Sequence, residues 1–185
     1  MQPEEATSKS QFDLRDSTQI GETEPIFFYL APRKLVLLSI LSFGVYDLWW
    51  FFKNWLFANE KLGLKLSPGL RAIFPVIWNL PLFNLIRKVS QENGVTGRFP
   101  TVSIFVLWLC LQIICRFCDG PAFLFFVALC ALPLWAVQKH INNLNKAVHP
   151  NAVPNSAFTA GNWVMIVLGA MCWISYIVGI AAPHH

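Results

Sequence analysis

The longest apolar run of the chain, residues 163 to 182, constrains the fold most strongly. Its 20 residues, WVMIVLGAMCWISYIVGIAA, contain no Asp, Glu, Lys or Arg. A helix of this length is about 30 Å long, which matches the hydrocarbon thickness of a bilayer. The stretch therefore predicts a membrane-spanning helix. Within it, Ser175 and Gly179 form a small-xxx-small pair, a feature that predicts close helix packing in lipid.

Three further apolar runs predict additional spans. They cover residues 35 to 52, 101 to 118 and 121 to 137, and only an Asp-Gly turn signal separates the last two. Charged residues make up 13% of the chain, roughly half of the ~25% usual in soluble domains, and hydrophobic residues make up 55%. We therefore predict an all-α fold, a multipass transmembrane helical bundle with four firm spans.

Two shorter segments are compatible with more than one relation to the bilayer. Residues 72 to 86 contain Pro75 and Pro81, and a 15-residue helix is only about 22 Å long, so this segment is predicted as a membrane-spanning, re-entrant or interfacial element. Residues 138 to 149 predict an interfacial amphipathic helix, because apolar residues recur three and four positions apart. With or without a span at residues 72 to 86, nine of the 14 Lys and Arg residues fall on one side, so charge counting leaves the orientation open.

The N-terminal residues 1 to 25 differ sharply from the rest of the chain. They hold six acidic residues against Lys9 and Arg15, a net charge of −4, and few large apolar residues. This composition predicts a disordered tail preceding a helical membrane domain at residues 26 to 185. The remaining 160 residues carry a net charge of +8, so their basic loops are expected to contact anionic lipid headgroups, and no nucleic-acid partner is expected.

Asp47 is the acidic residue inside the first predicted span. A carboxylate at the centre of a membrane helix costs about 2.5 to 3.5 kcal/mol on insertion scales, so we expect it to face protein or water. If residues 72 to 86 span the membrane, Arg116 lies on the same side and is the candidate ion-pair partner. If they do not, Asp47 needs another partner or stays protonated. A proton or cation site at Asp47 is the functional alternative to this structural role.

Cys115 and Cys118 form a C-x-x-C pair at the end of a predicted span, with Arg116 between them. A neighbouring arginine lowers a thiol pKa, so the pair is a candidate redox site, similar to that of quinone-linked membrane thiol oxidoreductases. Those enzymes also need a second, exposed cysteine pair, whereas the other three cysteines lie in apolar runs. The four histidines show no metal-ligand spacing, and no phosphate loop or nucleophile motif is present, so we expect no metal, cofactor or catalytic residue.

Three stretches of the chain carry a family resemblance: APRKLVLLSILSFGVYDLWWFFKNW, LRAIFPVIWNLPLF and INNLNKAVHPNAVPNSAFTAGNWVMIVLG. Together they resemble a group of small bacterial integral membrane proteins without an established activity. The group shares a Pro-Arg-Lys entry, a Phe-Gly-x-Tyr core and a Trp-rich exit, and the likeness covers residues 27 to 175 loosely. The resemblance implies a multipass protein of the bacterial inner membrane and supplies no catalytic residue.

These observations lead to three functional hypotheses of different classes. The first is a non-enzymatic accessory or assembly component that contacts a membrane-protein partner or a second copy of itself. The second is transport of a small solute or ion through Asp47. The third is thiol redox chemistry through Cys115 and Cys118.

Overall fold

The computed structural model describes residues 25–118 and 120–181, without the side chains at positions 121, 124 and 181. The acidic tail up to residue 24 and the terminal His184 and His185 lie outside the described residues. The described part of the chain forms seven helices and one isolated bridge between extended residues. The helices are α1 (Pro32–Leu41), α2 (Val45–Leu62), α3 (Pro68–Ile73), α4 (Pro75–Glu92), α5 (Thr101–Arg116), α6 (Gly120–Val148) and α7 (Ala160–Ala181).

A sharp turn divides the first predicted span into α1 and α2. Phe43 and Gly44 both have positive φ angles, 56° and 82°, a backbone conformation that ends a right-handed helix. The N–H of Gly44 donates to the carbonyl of Ser39 at 2.8 Å, which satisfies an end group of α1. After the turn, α2 continues well past the predicted boundary to Leu62.

The prediction of four spanning helices is wrong, and a multipass arrangement is not supported. Among the described residues, one helix is long and apolar enough to cross a membrane, Ala160–Ile180 within α7. The first predicted span is interrupted at Phe43, and α5 has only 16 residues. The third predicted span is the apolar first half of α6, which continues without a break into the polar sequence that begins at Gln138.

The two shorter segments, predicted at residues 72 to 86 and 138 to 149, also belong to larger elements. Residues 72 to 86 are shared between α3 and α4, and α4 continues to Glu92 with Pro81 inside it. Residues 138 to 148 are the C-terminal part of α6 instead of a separate helix. Their apolar stripe faces the protein core, because Ile141 and Leu144 are completely buried.

A row of amide side chains on α6 holds the extended segment that precedes α1. Gln138 and Asn142 donate to the carbonyls of Phe28 and Leu30 at 3.0 and 2.9 Å. Asn145 accepts hydrogen bonds from the N–H groups of residues 26 and 27 and donates to the carbonyl of residue 27. Because an amide can both donate and accept, this row satisfies a backbone that has no neighbouring strand.

Helix α7 touches the rest of the protein along one narrow face. Only 6% of its apolar window is buried inside the protein. A Cβ atom at Gly169 would lie 2.3 Å from the Leu41 carbonyl oxygen, so glycine permits the close approach of α7 to the α1–α2 turn. Trp173 donates its indole N–H to the Ile40 carbonyl at 2.9 Å. The close contact therefore lies at Gly169, whereas nothing lies within 4 Å of a Cβ built at Gly179.

Candidate functional site: a polar cavity at the α1–α2 turn

A cavity of about 270 Å³ lies where the α1–α2 turn meets the end of α5 and the first half of α6. The turn is the reason for its position, since the change of direction after Ser42 leaves space between α1, α2 and their neighbours. Polar, charged, thiol and apolar groups all reach the cavity wall. The lining residues are Ser39, Phe43, Gly44, Asp47, Gln112, Cys115, Arg116, Phe123, Val127, Cys130 and Ala131.

Asp47 is the acidic group of this cavity. It lies in the first turn of α2 with 8% of its surface exposed, and its carboxylate accepts a hydrogen bond from the Ser39 hydroxyl. The turn at Gly44 brings these two residues together, because it folds α2 back toward α1. Burial raises the pKa of Asp47 to about 7, and the Ser39 hydrogen bond acts in the opposite direction. Asp47 therefore exchanges its proton near neutral pH.

Arg116 is the basic group of the same cavity. It is the last residue of α5 and is exposed to solvent, so it marks the cavity mouth. Within the described residues, no ion pair closer than 4.0 Å joins it to Asp47, whose hydrogen-bond partner is Ser39. The two residues singled out in the sequence thus share one cavity without neutralising each other.

The cysteines are arranged differently from the C-x-x-C pattern. The Cys115 thiol forms a hydrogen bond with Cys130 of α6, and Cys118 is not part of the cavity lining. Burial raises the pKa of Cys115, and it raises that of Cys130 to about 12. Both thiols are therefore protonated at neutral pH, and a protonated thiol is a poor nucleophile.

Three polar contributors to the cavity were missed in the sequence: Ser39, Gln112 and Cys130. Each lies in an apolar run that was interpreted as a lipid-facing span. The signal that would have found Ser39 is the Gly44 of the Ser-Phe-Gly sequence, since a glycine inside a helical pattern is a potential C-terminal cap. Gln112 and Cys130 carry no comparable local signal, because their position depends on how α5 and α6 pack.

The cavity offers opposite charges and hydrogen-bonding groups in an apolar enclosure. Within the described residues, no group of three or more His, Cys, Asp or Glu side chains is placed to hold a metal ion. A carboxylate and a guanidinium are complementary to a solute that carries both a cationic and an anionic group.

In the part of the chain that the structure describes, the fold is all-helical, one helix is long and apolar enough to cross a membrane, and a polar cavity lies beside that helix. Comparisons of the chain with protein-family models, with curated proteins and with solved structures find no match.

Proposed function

We propose that this protein is a non-enzymatic membrane component that binds a small zwitterionic solute in the cavity between Asp47 and Arg116. One observation carries the proposal: a buried carboxylate and an exposed guanidinium line the same cavity and form no ion pair with each other. An unneutralised pair of opposite charges has free capacity for a ligand that carries both charges. The accessory role then consists of holding the solute instead of converting it.

The size and lining of the cavity favour a small solute. Sites for drug-sized ligands usually have volumes of about 300 to 1,000 Å³, and this cavity of about 270 Å³ falls just below that range. Phe43 and Phe123 line it, so a ligand also meets two aromatic rings. Amino acids combine a small body with an ammonium and a carboxylate group, which makes them the natural first probes.

The proposal is tested by thermal-shift measurements on the purified full chain in mild detergent. The panel contains the twenty standard amino acids, with sodium acetate and choline chloride as probes that carry one organic charge each. We expect one or more amino acids to raise the melting temperature, while acetate and choline have little effect. In Asp47→Asn and in Arg116→Gln, the shift should fall by more than half.

Lys88→Gln is the matched control, since Lys88 is a surface residue that pairs with Glu92 and does not line the cavity. It should keep the full shift. The proposal fails if no amino acid stabilises the parent protein, or if the two cavity variants respond as strongly as Lys88→Gln.

Transport of the same solute is the second candidate function, favoured by the proton exchange of Asp47 near neutral pH. Uptake of a radiolabelled amino acid from the panel into proteoliposomes separates the two roles. Uptake above that of empty vesicles, abolished by Asp47→Asn, supports transport. Binding without uptake supports the accessory role.

We also infer that α7 anchors the protein in a membrane, and we propose the bacterial inner membrane because of the family resemblance. The supporting observation is the small buried fraction of its apolar window, 6%, which leaves its surface to lipid. The test is alkaline carbonate extraction of membranes that contain the full chain. Lysines at the exposed positions Val167 and Ile174 should release the protein into the supernatant, whereas leucines at both positions should not. Retention of the lysine variant would contradict α7 as the anchor.

A further inference from the structure

A second cavity, distant in sequence from Asp47, lies where the end of α4, the following loop and α6 meet. It has a volume of about 300 Å³, and none of its lining residues is acidic. Two arginines, Arg87 from α4 and Arg98 from the loop, contribute the charge. The lining residues are Arg87, Ser90, Gln91, Val95, Gly97, Arg98, Phe99, Pro100 and His140.

The two guanidinium groups are available to a ligand. Within the described residues, neither Arg87 nor Arg98 has a carboxylate within 4.0 Å. The other basic side chains of this region are engaged elsewhere: Lys88 pairs with Glu92, and Arg71 stacks on the rings of Trp55 and Trp78. Arg87 and Arg98 therefore contribute unpaired positive charge to the wall of this second cavity.

Two stacked rings form another part of the cavity wall. His140 lies flat on Phe99, with ring centroids 4.1 Å apart and an angle of 5° between the planes. Its Nε2 lies 3.0 Å from the Ser90 hydroxyl oxygen. Because Ser90 gives its own proton to the Ile86 carbonyl at 2.8 Å, the imidazole Nε2 is the donor in this contact. Two fixed rings thus define one side of the cavity.

The loop adds further donors. In the described structure, the N–H groups of Gly97, Arg98 and Phe99 take part in no backbone hydrogen bond, and the Gln91 amide lies at the cavity wall. Planar guanidinium groups bind phosphate oxygens in a bidentate manner, and free backbone N–H groups complement such contacts. The two arginines and the Gln91 amide of the cavity wall therefore match a ligand with several anionic oxygens.

We propose that this second cavity binds a phosphate group, carried either by a lipid headgroup or by a small soluble molecule. The proposed phosphate site depends on Arg87 and Arg98 and not on the Asp47 cavity, so the two sites can be tested independently. The sequence predicts a general attraction of basic loops to anionic lipid headgroups, whereas this proposal names one site formed by two arginines. The remaining basic side chains of the region are not part of it.

The test uses the purified full chain in neutral detergent and two probes. Inorganic phosphate is titrated at constant ionic strength, and phosphatidylglycerol is titrated in mixed micelles with phosphatidylcholine as the reference lipid. The double variant Arg87→Gln/Arg98→Gln should lose at least tenfold in affinity for the probe that binds. The matched control Lys88→Gln should stay within twofold of the parent, since its side chain lies outside the cavity. Arg98→Lys, which keeps the charge but loses the planar fork, should be intermediate.

The two probes separate the sources of the phosphate. Binding of inorganic phosphate alone assigns the site to a soluble ligand, and binding of phosphatidylglycerol alone assigns it to a headgroup. Binding of both assigns it to the phosphate group itself. The proposal is overturned if neither probe binds the parent protein, or if the folded double variant binds as tightly as Lys88→Gln. Melting temperatures of all variants verify that they are folded.

Discussion

In the folded protein, Asp47 has lost most of its contact with water, and a single hydroxyl group takes the place of that water. With 8% of its surface exposed and Ser39 as its hydrogen-bond partner, the carboxylate is under-solvated when charged. The protein therefore favours the protonated form, which is why the pKa of Asp47 rises from 3.8 to about 7. A bound ammonium group reverses that preference, because it stabilises the charged carboxylate.

This raised pKa predicts how stability depends on pH. The folded state holds a proton that the unfolded state has already lost, so the contribution of Asp47 to stability falls as pH rises from about 4 to 7. Asp47→Asn removes this loss and should be more stable than the parent at pH 8 by about 2 to 4 kcal/mol. Near pH 4 the difference should vanish. Unfolding in detergent at pH 4, 6 and 8 measures this.

Ser39→Ala provides the control for the pH prediction. The Ser39 hydrogen bond lowers the pKa of Asp47, so its loss should raise that pKa further and extend the fall in stability to higher pH. Identical pH profiles in the parent protein and in Asp47→Asn would contradict the burial of this carboxylate.

Two buried asparagines differ in how well their amides are satisfied. Asn79 of α4 and Asn54 of α2 are both completely buried. Neither amide atom of Asn79 has a hydrogen-bond partner among the described residues, whereas Asn54 donates to the Trp50 carbonyl at 2.9 Å and accepts from the Phe28 N–H. A buried polar group without a partner destabilises the folded state, and a satisfied one stabilises it.

The two leucine substitutions should therefore have opposite signs. Asn79→Leu should raise the free energy of unfolding by about 1 to 2 kcal/mol, and Asn54→Leu should lower it by about 2 kcal/mol. Chemical unfolding of both variants under one condition makes the comparison. Equal losses in both would mean that Asn79 has partners after all.

Among the helices, α7 depends on one residue, Gly169, for its close contact with the α1–α2 turn. Gly169→Ala places a Cβ 2.3 Å from backbone atoms of Leu41 and Ser42, which are not free to move aside. We expect a loss of about 1 to 3 kcal/mol and a weakened Trp173 contact with Ile40. Gly179→Ala is the control, because open space surrounds that position and alanine favours a helix by roughly 0.5 to 1 kcal/mol. Thermal unfolding followed by tryptophan fluorescence reports both effects, and equal melting temperatures would contradict the close contact.

The helices show which elements the sequence could predict. Apolar runs located the first half of α6 and nearly all of α7, because a continuous apolar stretch of that length favours a helix. The apolar runs did not reveal the break at Gly44. A single glycine is tolerated inside a helix unless tertiary contacts stabilise a turn there. Here the indole N–H of Trp173, more than a hundred residues later, donates to the Ile40 carbonyl at that turn. No local pattern contains this information.

The amide face of α6 was misinterpreted for the same reason. The sequence predicts an interfacial amphipathic helix at residues 138 to 149, and asparagines such as Asn142 and Asn145 usually lie on the solvated side of such a helix. In the structure they bond the backbone around residues 26 to 30, more than a hundred positions earlier in the chain. The sequence predicts only part of the candidate site. Asp47 and Arg116 can be identified by their charge, but the cavity that they share depends on the α1–α2 turn.

Across the whole molecule, the two cavities described above and α7 differ in their charge and polarity. The cavity around Asp47 offers both signs of charge, the cavity around Arg87 offers only positive charge, and α7 is almost entirely apolar. These differences suit a membrane component that holds small ligands.

The most direct test of this account measures the affinity for the amino acid with the largest thermal shift at pH 6 and at pH 8. Ionisation of Asp47 with a pKa of about 7 predicts roughly tenfold tighter binding at pH 8 in the parent protein. Arg116→Gln should bind more weakly but keep this pH dependence, whereas Asp47→Asn should bind weakly and equally at both pH values. Binding by Asp47→Asn that matches the parent at pH 8, or that still strengthens with pH, would contradict a solute site at Asp47.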